Sequence, residues 1–141
     1  MFFNVDPFPI QIFLKRFNLG NSKSIGIRRL VNALRYSLAG LKAAWIHEEA
    51  FRQEIILIIL VVPLGIWLGE TGVQRAILVG IYFIIPLTEL LNSAIEAIVD
   101  RMGEERHELS GRAKDLGSAA VFLSICIALI VWIFIAFERF F

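Results

Sequence analysis

Charge is scarce in this sequence of 141 residues: 19% are charged and 57% hydrophobic, with a mean hydropathy of +0.71. A soluble domain normally carries about a quarter charged residues, so the balance points to a membrane protein. Neither sign dominates, with 14 Lys and Arg against 13 Asp and Glu, which excludes a generally basic nucleic-acid binder. Cysteine is nearly absent. The single Cys126 can form no internal disulfide and no Cys-based zinc site, and its apolar neighbours fit a packing residue. The sequence also lacks Gly-x-x-x-x-Gly-Lys-Ser/Thr, Gly-x-Gly-x-x-Gly, and the His-Arg-Asp and Asp-Phe-Gly elements of protein kinases, so any nucleotide is held in another way. No internal repeat, low-complexity tract or domain linker is visible.

What is present is long apolar stretches. Leu116 to Phe137 is 22 residues without a charge, and about 20 cross a hydrocarbon core as a helix. Ile55 to Gly69 is 15 uncharged residues, and Ala50 to Glu54 extend it into the headgroup layer, giving a span over about 50–69 that Pro63 is placed to kink. A third span, about 76–99, is apolar except for Glu89, Asn92 and Glu96 in its second half. The expected fold is all-α with three transmembrane helices.

Basic residues stay on the cytoplasmic side. Seven precede Trp45 (Lys15, Arg16, Lys23, Arg28, Arg29, Arg35 and Lys42) against one acid, Asp6. The 70–75 connection has only Arg75, whereas the 101–115 connection has Arg101, Arg106, Arg112 and Lys114. The amino terminus is therefore expected inside, followed by a tight outer turn, a charged inner loop over 101–115 and an outside carboxyl terminus, in an inner, cytoplasmic-facing membrane. Asp6, Pro7 and Pro9 interrupt the apolar start and the basic residues come after it, so it does not read as a cleavable signal. Residues 1–24 read as an extension at the membrane surface. From about 28 to 49, Leu30, Val31, Leu34, Leu38, Leu41 and Trp45 share one side of a helix and Arg28, Asn32, Arg35 and Lys42 the other, the pattern of an amphipathic interfacial helix.

Glu89, Asn92, Glu96 and Asp100 fall within a stripe roughly 80° wide on one helix face. An ionised carboxylate at depth is costly unless paired, hydrated or coordinating, so the stripe is either a functional site or a polar packing seam with the outer acids wet. A second acidic group, in Trp45-Ile-His-Glu-Glu-Ala-Phe-Arg-Gln-Glu54, lies at the same interface, so that Glu48 or Glu49 is placed to face Glu96. Two or three carboxylate oxygens with water and phosphates suit Mg²⁺, and a solvated charge cluster is the alternative. His47 and His107 alone point only weakly to zinc. In the inner loop, Arg112 and Lys114 near a helix amino terminus suit an anion such as phosphate; as an alternative the loop simply obeys the positive-inside rule.

Three stretches, Ala43-Ala-Trp-Ile-His-Glu-Glu-Ala-Phe-Arg-Gln-Glu54, Glu89-Leu-Leu-Asn-Ser-Ala-Ile-Glu-Ala-Ile-Val-Asp-Arg101 and His107-Glu-Leu-Ser-Gly-Arg-Ala-Lys-Asp-Leu-Gly-Ser-Ala-Ala-Val121, resemble the prokaryotic integral-membrane diacylglycerol kinases, and the similarity runs in order from about Arg28 to Phe137. The resemblance implies a homotrimer with active sites shared between neighbouring chains, moving the γ-phosphoryl of MgATP to the hydroxyl of diacylglycerol to give phosphatidic acid. It implies that Glu89 is the catalytic base and that Asn92 orients the lipid hydroxyl. By the same resemblance Glu48 and Glu96 hold Mg²⁺, and Arg29, Tyr36, Glu48, Glu96, Glu105, Arg106, His107, Lys114 and Asp115 contact ATP. Arg29, Gln53, Glu89 and Ser118 line the lipid cleft in that family. The domain so implied covers residues 25–141.

This chain departs from the family pattern in the 1–24 extension, in His47 where Asn is common, and in Arg106 at a variable contact position. Pro86, one turn before Glu89, is placed to tilt that carboxylate. Undecaprenol kinases of the same family are the nearest alternative, although the His107–Asp115 sequence looks closer to the diacylglycerol branch. A small proton-coupled exporter built around Glu89 is the alternative from another class, and a purely structural membrane subunit is the third.

Overall fold

The computed structural model describes residues 26–103 and 107–141, so the extension before residue 25, Glu105 and Arg106 lie outside the described residues. Among the described residues five helices follow one another, α1 (Gly26–His47), α2 (Glu49–Leu68), α3 (Gly72–Tyr82), α4 (Ile84–Arg101) and α5 (Glu108–Phe140), and there is no strand. The chain forms two compact units, Met1–Ala39 and Gly40–Phe141, whose boundary falls within α1. In the first unit, α1 carries Ile27, Leu30, Val31, Leu34 and Leu38 exposed along its length.

Helix α1 stops at His47 because Glu48 is extended (φ −107°, ψ 113°). The guanidinium of Arg52 donates from Nη1 to the carbonyls of Trp45 (3.1 Å) and Ile46 (3.2 Å), satisfying the last turn of α1 with a cation where the helix dipole favours one. Helix α2 then continues through Pro63 without interruption. The turn after it is short, three residues from Gly69 to Thr71, and chemically specified. Thr71 Oγ1 accepts from Gln74 N (3.1 Å), while Gln74 Oε1 accepts from Thr71 N (3.1 Å), a reciprocal capping box that starts α3.

The expected span over about 76–99 is divided. Phe83 separates α3 from α4, and its N–H bonds back to Gly80 O at 3.2 Å, a tightened turn. The cause is Pro86: without an N–H it leaves the Tyr82 carbonyl with no partner four residues on, so the helix restarts. Helix α5 begins earlier than expected. Eight residues read as loop, Glu108 to Asp115, are its first two turns, because His107 Nδ1 caps Leu109 N (3.2 Å), Glu108 suits the positive helix end, and mixed charge marks exposure to water rather than loss of helix. At about 1.5 Å per residue, this helix of 33 residues is longer than a bilayer core is thick.

Among the described residues three segments are long and apolar enough to span a membrane: Glu49–Leu68, Gly72–Arg101 (α3 with α4) and Glu108–Phe140. Only 17%, 33% and 11% of their most apolar windows are buried within the chain, so most of their apolar side chains face outward, as in a multi-pass membrane protein. Helix α5 packs antiparallel along α4 and also against α3, and α2 packs on α3. Tyr82, Ile85 and Ala128 form the buried cluster, flanked by Ile58, Val61 and Ile81. Polar bonds tie these helices together: Tyr82 Oη donates to Glu54 O (2.8 Å) and Trp132 Nε1 to Leu78 O (3.2 Å). Gly65 allows the α2–α3 crossing, since a Cβ there would lie 3.3 Å from side-chain atoms of both Leu78 and Val79.

Candidate active site

The α4–α5 contact changes character along its length. Ile85 and Ala128 make it apolar at one level. One turn further along α4, Thr88 Oγ1 donates to Ser124 Oγ (3.0 Å), which donates to Val121 O (2.7 Å). Next come Glu89 and Asn92, 7% and 8% exposed, then the half-buried Glu96, and finally Asp100, whose Oδ1 is 2.5 Å from Lys114 Nζ. Residues 89, 92, 96 and 100 follow helical spacing, so α4 aims one polar edge along α5, and the closeness of the two helices comes from Gly117 and Ser124, both buried.

Asn92 Nδ2 donates to Glu96 Oε1 at 3.2 Å, which fixes the orientation of that carboxylate. Glu89 lies within electrostatic reach of Glu96 and of Glu48, and Glu54 within reach of Glu89. Glu48 itself is the extended residue that precedes α2. Of the two acids that sequence leaves open, Glu49 is exposed and accepts from Gln53 Nε2 (3.3 Å), and Glu48 is half-buried.

The remaining expected residues are more dispersed. Gln53, His107, Asp115 and Ser118 are exposed, Ser118 standing beside Gly117 on α5. Arg29 and Tyr36 belong to the first compact unit. Lys114, expected to face phosphate, is engaged by Asp100. A cavity of about 320 Å³, lined by Val99, Met102, Gly103, His107 and Ser110, opens where α4 gives way to α5. A second, apolar groove of about 350 Å³ is lined by Leu57, Val61, Tyr82, Ile125 and Trp132, with Glu54 as its acidic member.

Sequence reasoning passed over three contributors. Glu54 was read as headgroup-level, yet its Oε2 is buried with no hydrogen-bond partner; a carboxylate six residues past Glu48 in an apolar run was the available signal. Thr88 had no signal beyond its place next to Glu89. Gly117 had none, because only its neighbour across the helix contact gives it meaning.

Among the described residues no group of three His, Cys, Asp and Glu converges as a metal cage. One or two carboxylates would suffice for a divalent cation whose shell is completed by phosphate oxygens and water, and Glu96, oriented by its bond from Asn92, has the chemistry for such a role.

Comparison with known proteins gives the site a context. Residues 35–136 match the family described as prokaryotic diacylglycerol kinase. The chain belongs to this family. Among relatives, the diacylglycerol kinase of Escherichia coli (strain K12) is 46% identical over 119 residues, 84% of this chain and 98% of the relative. That of Haemophilus influenzae is 50% identical over 110 residues, 78% and 93% of the two chains, and that of Helicobacter pylori (strain 26695) 40% identical over 110 residues, 78% and 86%. The match to the prokaryotic diacylglycerol kinases takes in α2 to α4 whole, with most of α5, and so includes every residue of the polar edge.

Proposed function

We propose that this protein is an ATP-dependent diacylglycerol kinase of the inner membrane, converting diacylglycerol and MgATP to phosphatidic acid and ADP. The observation that carries the reading is the Glu89–Asn92–Glu96 edge on α4, with Glu89 and Asn92 buried and Asn92 holding Glu96, inside a segment apolar enough to span a membrane. A buried carboxylate within an apolar segment suits an acceptor hydroxyl that arrives sideways from the lipid, whereas a phosphate donor comes from water.

In the reaction the lipid oxygen forms a bond to the γ-phosphorus, the bond from that phosphorus to the β,γ-bridging oxygen breaks, and Glu89 takes the hydroxyl proton. Asn92 orients the acceptor and the carboxylate of Glu96. Glu48 and Glu96 are the residues that hold Mg²⁺, which when bound neutralises phosphate charge. Lys114 leaves Asp100 to meet the phosphates, His107 and Asp115 contact the nucleotide, and Arg29, Tyr36, Glu105 and Arg106 complete that site. Arg29, Gln53 and Ser118 line the lipid cleft. Phosphoryl transfer depends mainly on alignment and charge neutralisation, so this set suffices without a P-loop. The unit is a homotrimer whose sites are shared between chains, which also covers the outward apolar faces. The excess of basic residues before Trp45 and over 101–115 puts the amino terminus in the cytoplasm and the carboxyl terminus outside.

Transfer of labelled γ-phosphate from MgATP in mixed micelles, to diacylglycerol and separately to undecaprenol, tests this. Label is expected in phosphatidic acid, and in Glu89→Gln it falls by about 10²- to 10⁴-fold, the usual contribution of a general base. Label chiefly on undecaprenol changes the acceptor and keeps the mechanism; label on neither overturns the kinase reading and revives an exporter.

A further inference from the structure

Gly117 sits on α5 opposite Asn92, and the space in front of it is taken by the Asn92 carboxamide. A Cβ at this position would collide with Asn92 Oδ1 and would stand 3.3 Å from its Cγ and 3.6 Å from its Cα. The carboxamide is hemmed in: Asn92 is 8% exposed, its Nδ2 is committed to Glu96 Oε1 at 3.2 Å, and its Oδ1 is buried without a partner. An amide is planar, so any rotation that takes Oδ1 away from a new methyl group also moves Nδ2 off Glu96.

We infer that Gly117 is a positioning residue, whose missing side chain fixes the Asn92 amide with Nδ2 on Glu96 and Oδ1 free as an acceptor for a substrate donor. This rests on the proposed roles of Asn92 and Glu96. Glycine here serves as a cut-out in one helix that sets a side chain on the other, rather than as a source of backbone freedom; it lies inside a regular helix. Outer hydrogen bonds to metal ligands typically change affinity or activity by about 10- to 100-fold when lost, which sets the size of the expected effect.

The test uses full-length protein in micelles as Gly117→Ala, Asn92→Ala and the double variant, with two readouts that need no turnover. In protein labelled at asparagine side chains with ¹⁵N, the Asn92 carboxamide resonance, assigned by its loss in Asn92→Ala, is expected to shift in Gly117→Ala. Binding of Mn²⁺ with a non-hydrolysable ATP analogue, followed by electron paramagnetic resonance, is expected to weaken about tenfold or more in Gly117→Ala, with no further loss in the double variant relative to Asn92→Ala. Thermal denaturation covers poor folding: if the collision is with the carboxamide, Gly117→Ala lowers the midpoint on the parent background and not on Asn92→Ala. An unmoved Asn92 resonance, or equal penalties on both backgrounds, overturns the inference. A parent protein that phosphorylates no lipid while the resonance and stability cycle behave as stated sinks the kinase reading instead and leaves the positioning of Asn92 standing.

Discussion

The two ends of α5 meet the rest of the molecule on opposite terms. At the carboxyl-terminal end, polar groups are used to close the structure. Arg139 donates from Nη1 to the carbonyls of Trp67 and Leu68, lies 4.7 Å over the Trp67 ring, and so caps α2 from a helix far away in sequence. Nearby, Gln74 Nε2 donates to Glu138 Oε2 (3.2 Å) and Arg75 Nε to Gly69 O (2.9 Å). Toward the amino-terminal end a polar group is left open: Asn92 Oδ1, set against Gly117, is buried without a partner within the chain. Such an atom costs about 1–3 kcal/mol when nothing meets it. The carboxyl-terminal end is closed by bonds within the chain, whereas the amino-terminal end keeps a buried acceptor that the chain itself does not pair.

Variants sharpen that contrast. Arg139→Ala removes charged caps and a cation–π contact and is expected to lower stability by about 2 kcal/mol, read as a fall in thermal midpoint in micelles, with turnover per folded protein unchanged. Glu96→Gln acts at the other end: the Mg²⁺ concentration for half-maximal activity is expected to rise about tenfold if Glu96 holds the metal as proposed, with the midpoint held. An unaltered Mg²⁺ titration would remove Glu96 from that role. Thr71→Ala breaks the capping box and should cost about 1 kcal/mol of stability. The smallest effect is expected from Trp132→Phe, which gives up one interhelical bond to Leu78 O, about 0.6 kcal/mol in a membrane setting.

Much of this was legible in sequence. The uncharged run from Leu116 to Phe137 and the periodic Glu89, Asn92, Glu96 and Asp100 announce a span and a polar edge, because both depend only on local composition and helical period. The division at Phe83 was harder to see: Pro86 was visible, but whether a proline bends a helix or restarts it depends on which neighbours re-satisfy the freed carbonyl. Pro63, inside an unbroken α2, shows the other outcome. The helical state of 108–115 is hidden in the sequence because mixed charge marks exposure to water in loops and helices alike. Contacts between distant segments, such as Gly117 against Asn92 and Arg139 on Trp67, leave no periodic trace at all.

The most direct measurement of the central claim is turnover and thermal midpoint on the same preparations of Glu89→Gln and Arg139→Ala. The account predicts that Glu89→Gln keeps the parent midpoint and loses nearly all transfer of γ-phosphate to diacylglycerol, while Arg139→Ala melts earlier and transfers at the parent rate per folded molecule. Parallel loss of both properties in both variants, or full turnover in Glu89→Gln, would contradict it.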